Sequence, residues 1–153
     1  ENFTNRTIRP GLEQYFTTAM VREIRKGRVF QLVAKKEEAD AILGGTIISV
    51  DDSPSPTSVQ VGGSTPANVA TSFTAQVSCT VFLKDITERV IFVNTFGGSK
   101  IHPASLVLQG SNQVDQYANS TAPLINESQQ RLSIRYLADQ LMLDAYQEMV
   151  DLF

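Results

Sequence analysis

A single histidine, a single cysteine and sixteen acidic residues are the side chains of this sequence most able to do chemistry. His102 stands before Pro103, and no Gly-x-Ser-x-Gly turn exists to present a serine nucleophile to it. It reads as a loop histidine on the surface. Cys79 has no second cysteine, which excludes an intrachain disulfide and a cysteine-based zinc site. Glycoside hydrolysis needs two carboxylates across a cleft. The acids here gather instead in a polar turn (Glu37, Glu38, Asp40), at a strand end (Asp51, Asp52) and along the last helix, where they read as solvated. Gly44-Gly45, Gly62-Gly63 and Gly97-Gly98 lack the spacing of a phosphate loop, and Asp51 to Pro56 lacks that of a calcium loop. The chain reads as a binder, not an enzyme, and no cofactor is expected.

The elements that must position these residues follow from periodicity. Arg9-Pro10-Gly11 is a helix-start signal, because proline costs nothing in a first turn where its N–H would be unpaired. Leu12, Tyr15, Phe16, Ala19, Met20 and Ile24 then recur at three- and four-residue steps, giving one apolar face. Arg25 and Lys26 suit the negative pole of that helix, and Gly27 suits a left-handed cap. Val29 to Val33 reads as a short strand, the polar segment Lys35 to Asp40 as a turn, and Ile42 to Val50 as a second strand. Within it, Gly44-Gly45 signals a bulge or close packing.

Asp51 to Asn68 is rich in Ser, Pro and Gly and reads as a long loop. Phe73, Ala75, Val77, Cys79, Val81 and Leu83 then occupy every second position, with Thr74, Gln76, Ser78 and Thr80 between them. That period of two is a strand with one face on a core. Lys84 to Glu88 turns the chain, Arg89 to Phe96 returns as a strand, and Gly97-Gly98 closes the hairpin. Lys100 to Pro123 carries no clear period. From Asn126, Ile134, Leu137, Ala138, Leu141, Ala145, Met149 and Leu152 mark one face of a long helix.

The reading is one α+β domain over residues 1–153, with two helices on one face of a four-stranded, mainly antiparallel sheet in the order αββββα. The small polar residues between the apolar positions leave the other sheet face open or covered from outside the chain. A net charge of -3 gives no electrostatic ground for a nucleic-acid partner. No apolar run is long enough for a membrane-spanning helix. Asn2, Asn5, Asn119 and Asn126 begin Asn-x-Ser/Thr triplets, which read as chance in a chain this rich in Asn, Ser and Thr.

Several stretches together resemble one family. ENFTNRTIRPGLEQYFTTAMVREI (Glu1 to Ile24) is similar to the start of mature LptE-type lipoproteins. In EEADAILGGTIISV (Glu37 to Val50), Ala39, Asp40, Leu43, Gly44 and Ile47 resemble residues of that family's strand that opens with Ala-Asp. The hairpin from Phe73 and the C-terminal helix around Leu137-Ala138-Asp139-Gln140-Leu141 are also similar. The resemblance implies a protein on the periplasmic face of the outer membrane, held there by a lipidated N-terminal cysteine. It also implies an LptD-type β-barrel partner and a role in lipopolysaccharide assembly. On that reading the lipidated segment and a first strand lie upstream of Glu1. Curli-secretion and penicillin-binding-protein-activator lipoproteins share the AD strand and are the alternative. If lipopolysaccharide is the ligand, the candidate contacts are Lys84 and Arg89 at the ends of the hairpin turn, helped by Lys100. A hairpin tip presents cations beyond the sheet, where phosphates can meet them.

Overall fold

The structure is a computed structural model that describes residues 1–61, 65–104 and 122–153. Its elements run β1 (Thr4–Asn5), α1 (Leu12–Gly27), a 3-10 turn (Lys36–Glu38), β2 (Ala41–Val61), β3 (Thr65–Asp85), β4 (Val90–Pro103) and α2 (Ala122–Val150). One mixed sheet in the order β1-β2-β3-β4 holds all four strands; only β1 and β2 run parallel. The fold is therefore the α+β architecture the periodicity implies, mainly antiparallel. One of its four strands is not the expected one.

Val29 to Val33 forms no strand. Thr4 and Asn5 pair with Thr46 and Ile47 and take the place beside β2. Val29, Leu32 and Val33 are left exposed in an irregular segment. A five-residue apolar run does not carry its own structure; the free edge it would join is occupied. β1 is too short to show a period. Its anchor is the preceding Phe3, buried with its ring centroid 5.9 Å from that of Phe16 in α1.

The expected loop from Asp51 to Asn68 is strand wherever it is described. β2 and β3 pair from Ala41↔Asp85 to Val61↔Thr65, with shifts between Ile47 and Ser49 and between Ser55 and Pro56. Pro54 and Pro56 are tolerated because this part of β2 is a sheet edge, where a missing N–H breaks no ladder. β4 likewise does not end at Gly97-Gly98 but continues to Pro103, pairing Phe73 with His102. The unread segment Lys100 to Pro123 thus begins as strand, and residues 105–121 lie outside the described ones.

Two glycines act through close approach. A Cβ on Gly27 would run into the Tyr146 ring, so this residue ends α1 by letting α2 come near. The left-handed cap itself falls to Arg28, at φ 59°. A Cβ on Gly45 would meet the Phe3 ring and the Thr80 carbonyl, the close packing its position suggested.

The core lies between the helices and one sheet face. Phe16, Met20 and Ile24 of α1 meet Ile134, Leu137, Leu141 and Met142 of α2, above Ile47, Val77, Cys79 and Val81. Arg22 of α1 donates to Asp139 of α2 at 2.8 Å and ties the helices at their surface. Cys79 is fully buried, and burial alone pushes its thiol up to about 12.

Candidate functional site

The β3–β4 turn is built around one carboxylate. Asp85 Oδ1 accepts from the Thr87 hydroxyl at 2.6 Å, the Thr87 N–H at 2.8 Å and the Arg89 N–H at 3.0 Å. The Thr87 hydroxyl above all, then the Arg89 and Thr87 N–H groups and the Arg89 charge, hold the Asp85 carboxyl below its ordinary value. Asp85 Oδ2 takes the Arg89 Nε–H at 3.1 Å. Lys84 reaches Glu88 at 3.3 Å and lies 5.1 Å above the Phe82 ring. Each cation at this tip already has a carboxylate of the same turn beside it. Both pairs are exposed, where water screens them and partners exchange at little cost.

The structure brings Lys84 and Arg89 together but not Lys100. Lys84 pairs with Val90 and Lys100 with Ala75, nine β3 residues further on, about 30 Å at strand rise. Lys100 also lies on the helix side of the sheet, its ammonium 3.6 Å from the Tyr136 ring centroid of α2. Arg22, Arg25, Lys26, Arg28, Lys35 and Lys36 form a basic stretch of sequence that is partly neutralised as well. Glu23 takes Arg22 and Lys26, Asp139 takes Arg22, and Glu38 takes Lys35.

A second polar cluster was not legible. His102 is buried, 3% exposed, and not a surface loop residue. Its ring stacks on Phe73 with centroids 5.7 Å apart, and its Nε2 meets Asp52 Oδ1 at 3.1 Å. The other Asp52 oxygen accepts from Gln130 of α2 at 2.7 Å. A carboxylate only accepts, so the imidazole proton sits on Nε2 in this contact. The expected surface histidine and solvated aspartate are instead a buried link between β2, β4 and α2. A signal existed: Phe92, Phe96 and His102 share one parity. Carrying the period of two through Gly97-Gly98 puts the histidine on the core side. Cys79 lies six residues from Phe73 along β3, buried in the core.

A cavity of about 800 Å³ lies beneath residues 29–41, floored by Phe3, Met20, Ile24, Leu43 and Met149. Lys35, Lys36, Glu38 and Asp40 at its rim mix both signs, so it presents no defined charge to a ligand. Among the described residues no cluster of three His, Cys, Asp or Glu could hold a metal ion, and no helix is long and apolar enough to cross a membrane.

A broad surface among the described residues is the sheet face turned away from the helices. Register places Thr46, Thr80 and Thr95 in one row, Ser49, Ser78 and Gly97 in the next, and Asp51, Gln76 and Ser99 in a third. The Thr80 and Thr95 hydroxyls share a hydrogen bond of 3.0 Å. Val93 and Ile101 stand exposed at its β4 edge, and Ile48 at the β2 bulge. From Ser53 to Leu83 the sequence carries no charged residue, so this face is polar and apolar but nearly neutral.

Comparison with known proteins agrees with this frame. Solved structures match the chain only distantly. A minor lipoprotein from Acinetobacter baumannii is 13% identical, with 96% of this chain and 90% of that one covered and a TM-score of 0.49. The rare lipoprotein B from Shewanella oneidensis is 10% identical, with 99% and 96% covered and a TM-score of 0.39. No curated protein matches the chain. The match of residues 1–151 to the lipopolysaccharide-assembly family LptE covers every element described above, and the chain belongs to that family.

Proposed function

We propose that this protein assists lipopolysaccharide assembly at the outer membrane as a non-catalytic partner of an LptD-type β-barrel. On this reading it is held at the periplasmic face by a lipid anchor upstream of Glu1. Family membership supports the role in lipopolysaccharide assembly. The observation that carries the barrel partnership is the neutral open sheet face. A protein of net charge -3 keeps charge off one broad surface, from Ser72 through Leu83 and along most of β4. The centres of protein interfaces are depleted in charge, because a buried unpaired charge costs several kcal/mol (~3–5 when its partner is missing).

The ligand-binding part of the proposal rests on Lys84 and Arg89. Both belong to exposed ion pairs, so an incoming phosphate can replace Glu88 and Asp85 without opening any buried group. Lys100 contributes from a separate place, at the junction of β4 with Tyr136. Two measurements test the two halves. Thr80→Asp with Thr95→Asp, both on the open face, should abolish co-purification with the barrel while leaving the far-UV spectrum unchanged. Lys84→Glu with Arg89→Glu should weaken lipopolysaccharide binding about tenfold and spare the barrel complex. Unchanged lipopolysaccharide affinity in the second variant would sink the assignment of the tip.

A further inference from the structure

One end of the domain gathers apolar side chains that its core does not use. Val29, Leu32 and Val33 are 52%, 46% and 43% exposed in the segment that leaves α1. The exposed Leu152 and Phe153, which follow α2, reach the same segment: the Phe153 ring centroid lies 5.6 Å from that of Phe30. Ile86 of the β3–β4 turn, also exposed, shares this end, because Ala41 pairs with Asp85 and Leu83 lines the cavity beneath residues 29–41. Three segments far apart in sequence thus point apolar groups into water at one place. Among the described residues Gln31 to Ala34 make no hydrogen bond, so this part of the chain can adjust to a neighbour at little cost.

Cations flank the first of these segments. Arg25, Lys26, Arg28, Lys35 and Lys36 fall between residues 25 and 36 with no acid among them, in a chain of net charge -3. Lys26 is held by Glu23 and Lys35 by Glu38. Glu37, Glu38 and Asp40 follow Lys36 and offset the two lysines, Asp151 precedes Leu152, and Lys84 and Arg89 are paired within their own turn. Among the described residues no carboxylate pairs with Arg25 or Arg28, so the unbalanced positive charge rests on these two. Apolar tips with cations a few residues behind them suit a lipid interface. The tips enter the acyl boundary while the guanidinium groups stay with the headgroup phosphates.

From this juxtaposition we infer that this end of the domain lies against a phospholipid bilayer, with Val29, Leu32 and Val33 in the acyl boundary and Arg25 and Arg28 on headgroup phosphates. Its place in the fold agrees. The Glu1 nitrogen donates to the Leu43 carbonyl at 3.0 Å, and Glu1 lines the same cavity as residues 29–36. Here the inference rests on the reading above, in which a segment upstream of Glu1 leads to a lipid anchor. An anchor entering beside this segment brings this end to the membrane and leaves the open sheet face for the barrel. The anchor alone lets the domain turn; the added contact fixes which way it faces. The contact is weak, since each cation near an anionic surface adds only about fivefold in affinity.

Flotation with vesicles of phosphatidylethanolamine and phosphatidylglycerol should carry the full chain, and vesicles of phosphatidylcholine should bind it roughly tenfold more weakly. Leu32→Glu with Val33→Glu should weaken binding to both by about tenfold, with barrel co-purification and lipopolysaccharide binding retained. Arg25→Ala with Arg28→Ala should remove most of the preference for the anionic vesicles. The chain has no tryptophan, so Leu32→Trp supplies a single reporter. Its emission should move to the blue on vesicles and be quenched by brominated acyl chains, while Val93→Trp on the open sheet face should do neither. A chain that ignores both vesicles yet co-purifies with the barrel overturns this contact and leaves the proposed function standing. Vesicle binding without barrel co-purification does the reverse. An unshifted Leu32→Trp overturns the contact, and so does equal binding to the two vesicles for Arg25 and Arg28. Loss of barrel co-purification by Leu32→Glu with Val33→Glu assigns the segment to the barrel and equally overturns it.

Discussion

The two ends of the sheet hold similar groups in opposite circumstances. At the β3–β4 turn, Lys84, Asp85, Glu88 and Arg89 form two ion pairs in water. At the far end, Asp52, His102 and Gln130 form two contacts that are largely shielded from it. At the turn each group keeps solvent as an alternative partner, so its bonds are exchangeable. At the far end His102 is buried and its ring depends on Asp52, while Asp52 and Gln130 are only partly open to water, so losing Asp52 strands the imidazole. The comparison separates two solvated, exchangeable ion pairs from a polar link that joins α2 to the sheet.

The difference can be broken by substitution, starting where the effect is largest. Asp52→Ala leaves the His102 Nε2–H and the Gln130 amide without an acceptor. It should lower stability by about 2–3 kcal/mol, the cost of unsatisfied buried donors. Urea unfolding should show a lower midpoint with an unchanged slope. Cys79 offers an independent readout. Its buried thiol, raised to about 12, labels only when the core opens, so its labelling rate should rise roughly tenfold per 1.4 kcal/mol lost.

Gln130→Ala removes one contact and leaves the His102–Asp52 pair, so a smaller loss of about 1 kcal/mol is expected from the same two assays. If Gln130→Ala equals Asp52→Ala, the link runs through the helix alone and the histidine adds nothing. At the other end, Arg89→Ala should leave both the urea midpoint and Cys79 labelling unchanged, as for an exposed pair.

The smallest effect is a pH dependence at the turn. The folded carboxyl of Asp85 lies below its ordinary 3.8, so its contribution is complete above that value and is lost as pH falls through the folded one. Asp85→Asn should therefore lower stability slightly at neutrality, where that contribution is complete, and converge with the parent in acid, so that its acid limb below about pH 3.8 is flatter. Glu13 is lowered too, by its own N–H and by Asn5, so it retains a residual acid limb below 4.5 in that variant. An acid limb identical in Asp85→Asn and the parent would show that the turn contributes nothing there.

Much of this protein could be read from residue order alone. The periods of α1 and of Phe73 to Leu83 set one face of each toward a core, because a helix or strand exposes the same side at fixed steps. The excluded chemistries followed from residues that are missing: a second cysteine, a second histidine, a nucleophile turn. The hairpin turn was equally legible, since Lys84 to Arg89 lies close in sequence and folds on itself. Three things needed the tertiary structure. The strand beside β2 is Thr4–Asn5, not Val29 to Val33, because a sheet edge accepts one neighbour and competition for it is not local. The long β2–β3 ladder runs through a Ser- and Pro-rich stretch because pairing along an edge overrides weak propensity. The union of Asp52, His102 and Gln130 joins residues 50 and 78 positions apart, which no local spacing encodes. Local periodicity determines which face of each element is buried; only packing decides which faces meet.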